Sequence, residues 1–212
     1  MQNFKIRASQ LSKIMSNAKV KGELSAGCTT YLKDWYAEKM FGERDEIRSK
    51  YLDKGNWCEN EAIEEVGNYL NIFGICKNNT FYENDYITGT PDVVESDFII
   101  DTKCSWDGKT FLDTVTSEIN KDYWYQLQSY MILTGLSKAK LAYVLLDTPS
   151  DVNFGIEVIY SNIPIENRIC INDIDLDLEL ENLIKEKVLK CREWLINYDS
   201  LIKSNLTQKI QS

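Results

Sequence analysis

The chain has 212 residues, of which 43% are hydrophobic and 27% charged, a balance that suits a soluble globular protein with one sizeable core, read here as a single domain over residues 1–212. It contains no histidine, which excludes histidine triads and histidine-bound metals. Its six cysteines are scattered without a C-x-x-C pair, which points away from zinc and iron–sulfur sites. The net charge of −9 argues against broad non-specific nucleic-acid binding, which needs a basic surface, although a positive groove can be confined to one face.

The first residues, Met-Gln-Asn-Phe-Lys-Ile-Arg, lack an apolar leader segment, and no apolar run is long enough to span a bilayer. A cytoplasmic protein with reduced thiols and no membrane partner is expected. Ser9 suits the N-cap of a short helix carrying Leu11, Ile14 and Met15, and capping alone is sufficient reason for a serine there. Residues 18–25 are polar and read as a loop. Residues 26–41 read as a helix with Tyr31, Leu32, Trp35, Tyr36 and Met40 spaced for a buried face, and core packing is preferred to base stacking for these rings.

Residues 55–71 form a second helix whose faces can be counted. Glu59, Ala62, Ile63, Val66 and Leu70 share one stripe, and Glu61, Glu64, Glu65 and Asn68 the opposite one. A carboxylate on the apolar stripe is costly unless it is paired, metal-bound or at the rim of the core. Glu59 is therefore the candidate acid, with a salt bridge at the core edge as the plainer alternative.

Residues 75–106 read as a central meander. Gly89-Thr90-Pro91 bends the chain ahead of Asp92, and a turn around Glu95-Ser96-Asp97 returns it alongside itself. In the following strand Asp101 and Lys103 face one way, while Phe98, Ile100, Thr102 and Cys104 face the other, into a core. Asp92, Asp101 and Lys103 thereby converge. Two close carboxylates repel unless a cation sits between them, and hard oxygen ligands favour magnesium or manganese. A hairpin with solvated charges is the plain alternative for this string taken alone.

Residues 107–120 read as a loop and a short irregular or helical segment lying over that site. Residues 121–135 form a helix closed by Gly135, with Tyr123, Gln126, Leu127, Tyr130, Met131 and Thr134 on one stripe. Gln126 is a polar residue on a mostly buried face, one turn from Tyr130. Residues 139–147 read as a buried strand, 154–161 as a strand paired with it, and about 175–204 as a packing helix carrying Leu180, Leu183, Ile184, Val188, Cys191, Leu195, Tyr198 and Ile202.

The Asp92…Asp101-x-Lys103 string resembles the PD-(D/E)XK nuclease motif, and four segments in order resemble the lambda-type recombination exonucleases of phages and viruses, a branch of that superfamily. They are Arg7-Ala8-Ser9; Gly55-x-x-x-Glu59-Asn60-x-Ala62; Pro91-Asp92 with Asp101-x-Lys103; and Tyr125-Gln126-Leu127-Gln128 with Met131 and Thr134. The last also satisfies the Gln-x-x-x-Tyr pattern of RecB-type nucleases through Gln126 and Tyr130. The resemblance implies an α/β restriction-endonuclease-like core, a central mixed sheet flanked by helices. It implies Mg2+ or Mn2+, as two ions, held by Asp92, Asp101, the Thr102 carbonyl and Glu59, with Lys103 orienting the attacking water and Gln126 placing water or DNA.

In that family Ser9 would match a serine holding a terminal 5′ phosphate, and Arg7, Gln126 and Tyr130 would stand with it among the DNA contacts. The family's arginine seven positions before the serine is replaced by Gln2, for which Lys5 or Arg7 could substitute, and Asp101 stands where glutamate is commoner. The implied activity is hydrolysis of linear double-stranded DNA from its ends, 5′ to 3′, in a bacterial or phage-infected cell. A ring-shaped homotrimer and a single-strand-annealing partner are implied with it. An endonuclease, a RecB-like domain and a non-catalytic binding module of the same fold are the rival readings.

Overall fold

A computed structural model of the chain describes Met1 and residues 3–42 and 50–210. Gln2 lies outside the described residues. Two small sheets divide the strands. β1 (Ile6–Arg7) runs parallel to β3 (Ile87–Gly89), which pairs antiparallel with β2 (Tyr82–Glu83). The larger sheet has the order β4 (Val93–Val94), β5 (Ile99–Cys104), β6 (Lys138–Val144), β7 (Ile169–Asp175). Its pairings are antiparallel, parallel and antiparallel, so the sheet is mixed. The parallel step from β5 to β6 needs a long crossover, and α4 (Gly108–Thr116) and α5 (Lys121–Thr134) supply it.

Helices cover both faces of this sheet. On one side Cys58, Ala62, Ile63 and Val66 of α3 (Lys50–Leu70) pack on Val93, Ile100, Ala142 and Val144. On the other, Leu127, Tyr130 and Met131 of α5 pack on Ile99, Ala139, Leu141 and Tyr143. A third cluster joins α1 (Leu11–Met15) and α2 (Ala26–Phe41) to α6 (Leu180–Ile210) through Leu11, Ile14, Leu32, Tyr36, Ile184, Val188, Cys191 and Leu195. Alternation along β5 places residues as expected, but both of its faces are inside. The face carrying Asp101 is covered by α5, and Asp101 is 0% exposed.

Other expectations are corrected. The 75–106 meander splits between the two sheets. Residues 154–161 form no strand: a Thr148–Val158 bridge is their one ladder contact, Phe154 has a positive φ of 53°, and most of the segment is exposed. β6 pairs instead with β7, whose Ile169, Ile171 and Ile174 are interrupted by Asn172 and Asp173. The last helix therefore begins at Leu180, not near 175. Ser9 is no cap: it lies exposed inside a 3-10 turn, Ala8–Gln10, and α1 starts from Gln10 without a side-chain cap. Met40 and Leu183 are exposed although their spacing placed them on buried stripes.

The Gly135 stop is as expected: φ is 74° and its N–H donates to Met131 O at 2.9 Å. So is the 95–98 turn, closed by Glu95 N–H on Phe98 O at 2.9 Å.

Candidate active site

The hairpin of β4 and β5 brings its acids together. Val93 pairs with Ile100, so Asp92 arrives opposite Asp101. Asp92 Oδ2 accepts from Thr102 N–H at 2.7 Å and from Thr102 Oγ1 at 2.9 Å. On the outer edge of the hairpin, Asn78 N–H donates to Asp92 O at 2.7 Å and Asn78 Nδ2 to Pro91 O at 3.0 Å. The aspartate is thus fixed from both sides. Burial, and then the neighbouring Asp101 charge, push its carboxyl up to about 7, against the pull of Lys103 and the Thr102 hydrogen bonds.

Asp101 sits deeper. Its Oδ2 meets the Lys103 ammonium at 2.6 Å but accepts no well-aligned hydrogen bond, and its Oδ1 accepts from Gln126 Nε2 at 3.3 Å. Gln126 also donates to Tyr130 Oη at 2.9 Å. Lys103 lies 4.9 Å from the centre of the Tyr123 ring. Burial works against the Lys103 charge, but Asp101 and Asp92 outweigh it and hold the ammonium firmly protonated. Burial likewise raises the Tyr130 phenol, and pushes Tyr143 up to about 12.

Asp92, Lys103 and Tyr143 border a cleft of about 790 Å³, while Asp101, Gln126 and Tyr130 do not line it and stand behind that wall. Glu59, Asp92, Thr102, Lys103 and Tyr123 line it, and Thr110, Asp113 and Ser117 of α4 and the following turn form its outer wall, as the reading of 107–120 anticipated. Asp107 starts α4 by accepting from Thr110 N–H at 2.7 Å. Glu59 is at the rim, as the face count indicated, and is held by Lys77 at 2.5 Å. Arg7 and Ser9 do not line the cleft, and Arg7 is paired with Glu38 at 3.6 Å. Their turn is nonetheless close behind it. Ala8 packs with Tyr130, and a Cβ on Gly89 would stand 2.7 Å from Tyr130 Cε1 and 3.0 Å from Ala8 Cβ, so only glycine lets the three approach.

Among the described residues no three acidic or thiol side chains gather tightly enough to hold an ion unaided. Two adjacent carboxylates, one with a buried oxygen lacking an aligned donor, still fit a hard divalent cation, which uses one or two carboxylates and retains several waters.

Two supporting residues, Lys54 and Asn78, were not singled out from the sequence, and Gln128 stood out there only as a motif member, without this role. Lys54 is 1% exposed and donates to Trp106 O and Leu146 O, each at 2.9 Å, tying α3 to the ends of β5 and β6. Its spacing to Cys58 and Ala62 was the available signal. Gln128 is fully buried and bridges Asp175 O and Asp177 N–H. Asn78 carried no signal beyond its Asn-Asn-Thr loop.

No protein-family model matches the chain, and neither does any curated protein. Solved structures do. A phage-related exonuclease from Haemophilus somnus 129PT superposes with a TM-score of 0.82 at 30% identity, covering 94% of this chain and 97% of that one. An alkaline exonuclease, LHK-Exo, from Laribacter hongkongensis gives 0.71 at 17% identity over 98% of this chain and 95% of its own. The structure of LHK-Exo in complex with dAMP gives 0.71 at 18% identity over 96% and 94%. With the mixed sheet, the flanking helices and near-complete mutual coverage, the chain belongs to the lambda-type, phage-related exonuclease family and carries its nuclease fold.

Proposed function

We propose that the chain is a metal-dependent deoxyribonuclease that degrades linear double-stranded DNA from its ends, 5′ to 3′, in phage-type recombination or repair. The observation that supports it best is a cleft lined by Asp92 and Lys103, with Asp101 buried behind it, paired with Lys103 and held by Gln126. Asp92, Asp101, the Thr102 carbonyl and Glu59 would hold Mg2+ or Mn2+. When bound, such ions acidify water and neutralise phosphate charge.

The remaining work falls to the chain's own side chains. Lys103 keeps its proton and offers a fixed positive charge to the attacked phosphate and to the incoming water. Gln126 holds Asp101 from behind, and so holds Lys103 through it. Hydrolysis adds water oxygen to phosphorus as the P–O3′ bond breaks, which releases a 5′ mononucleotide and a new 5′ end. No covalent intermediate is needed, in keeping with a chain that has no histidine. Among the described residues no helix is long and apolar enough to cross a membrane. A homotrimeric ring and a strand-annealing partner belong to the same proposal, on family resemblance.

Digestion with Mg2+ tests it. Linear duplex with 5′ phosphate, the same duplex with 5′ hydroxyl and a closed circle are compared, with Lys103→Ala beside the wild type. Loss of linear DNA alone, faster with 5′ phosphate and abolished in the variant, is expected. Cutting of the circle assigns an endonuclease instead. A Lys103→Ala variant as active as wild type refutes the site, and no cleavage with either metal leaves a binding module of the same fold.

A further inference from the structure

The loop after α3 makes two contacts with the candidate acids through adjacent residues. Lys77 Nζ lies 2.5 Å from Glu59 Oε2, and Asn78 binds the backbone of Pro91 and Asp92. Asn78 is fully engaged: its Nδ2 also reaches Thr80 O at 3.1 Å, and its Oδ1 accepts from Thr80 N–H at 3.0 Å. β4 is a two-residue edge strand, so its outer side at Asp92 would otherwise present unpaired carbonyls. Asn78 closes that edge. The backbone beside Lys77 is thereby pinned to the site, which distinguishes the Lys77–Glu59 pair from two long side chains meeting on a surface. The pair stays accessible, with side chains 39% and 30% exposed, and Glu59 turns toward the cleft.

We propose that Lys77 and Asn78 are positioning residues of the active site, Asn78 fixing the Asp92 backbone and Lys77 serving as an exchangeable counter-ion for Glu59. This rests on the metal-dependent reading above. Without a divalent ion, Lys77 neutralises Glu59 and keeps a third carboxylate from adding its charge to Asp92 and Asp101. An arriving cation competes with Lys77 for that carboxylate. Neighbouring residues then have opposite effects on metal affinity. Losing Asn78 loosens Asp92, whereas losing Lys77 frees Glu59.

The test is Mn2+ binding alone, measured by calorimetry on the full chain, for wild type, Asp92→Asn, Asn78→Ala, Lys77→Met and Lys77→Arg, with melting curves for each. Asn78→Ala is expected to weaken binding about tenfold, the usual effect of losing a residue that orients a ligand. Lys77→Met is expected to tighten it about fivefold, since an exposed ion pair is worth up to about 1 kcal/mol, and Lys77→Arg restores the wild-type value. General damage to the fold would weaken both, so tightening in Lys77→Met is the decisive sign. If wild type binds Mn2+ and Asp92→Asn does not, but Lys77→Met and Asn78→Ala both match wild type, this inference fails and the metal site stands. If wild type binds no Mn2+, the metal-dependent reading fails and this inference with it.

Discussion

Asp92→Asn should make the metal-free protein more stable while destroying its activity. The Asp92 carboxyl is pushed from an ordinary 3.8 up to about 7 by burial and by Asp101. A carboxyl whose folded value is raised binds its proton more tightly in the native state. Its ionisation therefore lowers stability as pH rises from about 4 through about 7, and the full cost is present above 7. At about 1.4 kcal/mol per pH unit, the charge costs the metal-free fold about 2 kcal/mol by pH 5 and about 4 kcal/mol by pH 8. Asparagine keeps an oxygen for Thr102 N–H and Oγ1, carries no charge, and can donate toward Asp101. Urea unfolding in EDTA should thus show the variant ahead by about 2 kcal/mol at pH 5 and by about 4 kcal/mol at pH 8. Mn2+ at pH 8 and a hundredfold excess over its dissociation constant should raise wild type by about 2.7 kcal/mol and leave the variant unmoved, closing most of the gap. A gap between the two proteins that does not widen with pH refutes the account of the buried acid pair.

Three further outcomes follow from particular contacts. Lys103→Ala strands a buried Asp101 whose Oδ2 meets no other donor, so it should lose about 3 kcal/mol of metal-free stability by chemical denaturation and regain much of it with Mn2+. Gly67→Ala drives its new methyl into Ile75 Cγ2 and should cost about 1–3 kcal/mol in thermal unfolding, with Gly67→Ala/Ile75→Ala less destabilised than the sum of the two single changes. Gln128→Leu leaves Asp175 O and Asp177 N–H without their partner and should cost about 2–4 kcal/mol, while Mn2+ affinity stays at the wild-type value.

The site was legible where chemistry and periodicity agreed. Asp101 and Lys103 are two apart in a strand, and Gln126 and Tyr130 four apart in a helix, so each pair had to share a face. The structure joins both pairs through Asp101. Glu59 was chosen over Glu61 by a helical count, and it lines the cleft while Glu61 is exposed. The fold was less legible where polarity masked a strand. Ile169-Cys170-Ile171-Asn172-Asp173-Ile174-Asp175 looks like a loop before a helix, yet β6 supplies a full ladder of partners, and Lys140 at 2.5 Å pairs the Asp173 carboxylate. Conversely, Phe154-Gly155-Ile156-Glu157-Val158-Ile159-Tyr160 has the composition of a strand. It is left outside because β7 occupies the edge of β6 that it would have needed. Pairing partners decide such cases, and a local pattern does not contain them.

The same logic explains why the structural roles of several supporting residues escaped notice while the acids did not. Asp92, Asp101 and Lys103 are unusual in themselves, since buried charge is costly and demands a reason. Lys54, Asn78 and Gln128 are ordinary polar residues whose value appears only with the carbonyls they meet. Those carbonyls lie far along the chain: Trp106 and Leu146 for Lys54, Pro91 and Asp92 for Asn78, Asp175 for Gln128. Each is a backbone group at a strand end, where ladder bonding stops and a partner must come from elsewhere. The close pair of carboxylates persists in the metal-free fold because Thr102 and Gln126 hold it by hydrogen bonds and the Lys103 ammonium offsets its charge. Asn78 adds a backbone-directed amide on the outer edge of the hairpin, so the Asp92 main chain is fixed independently of its carboxylate.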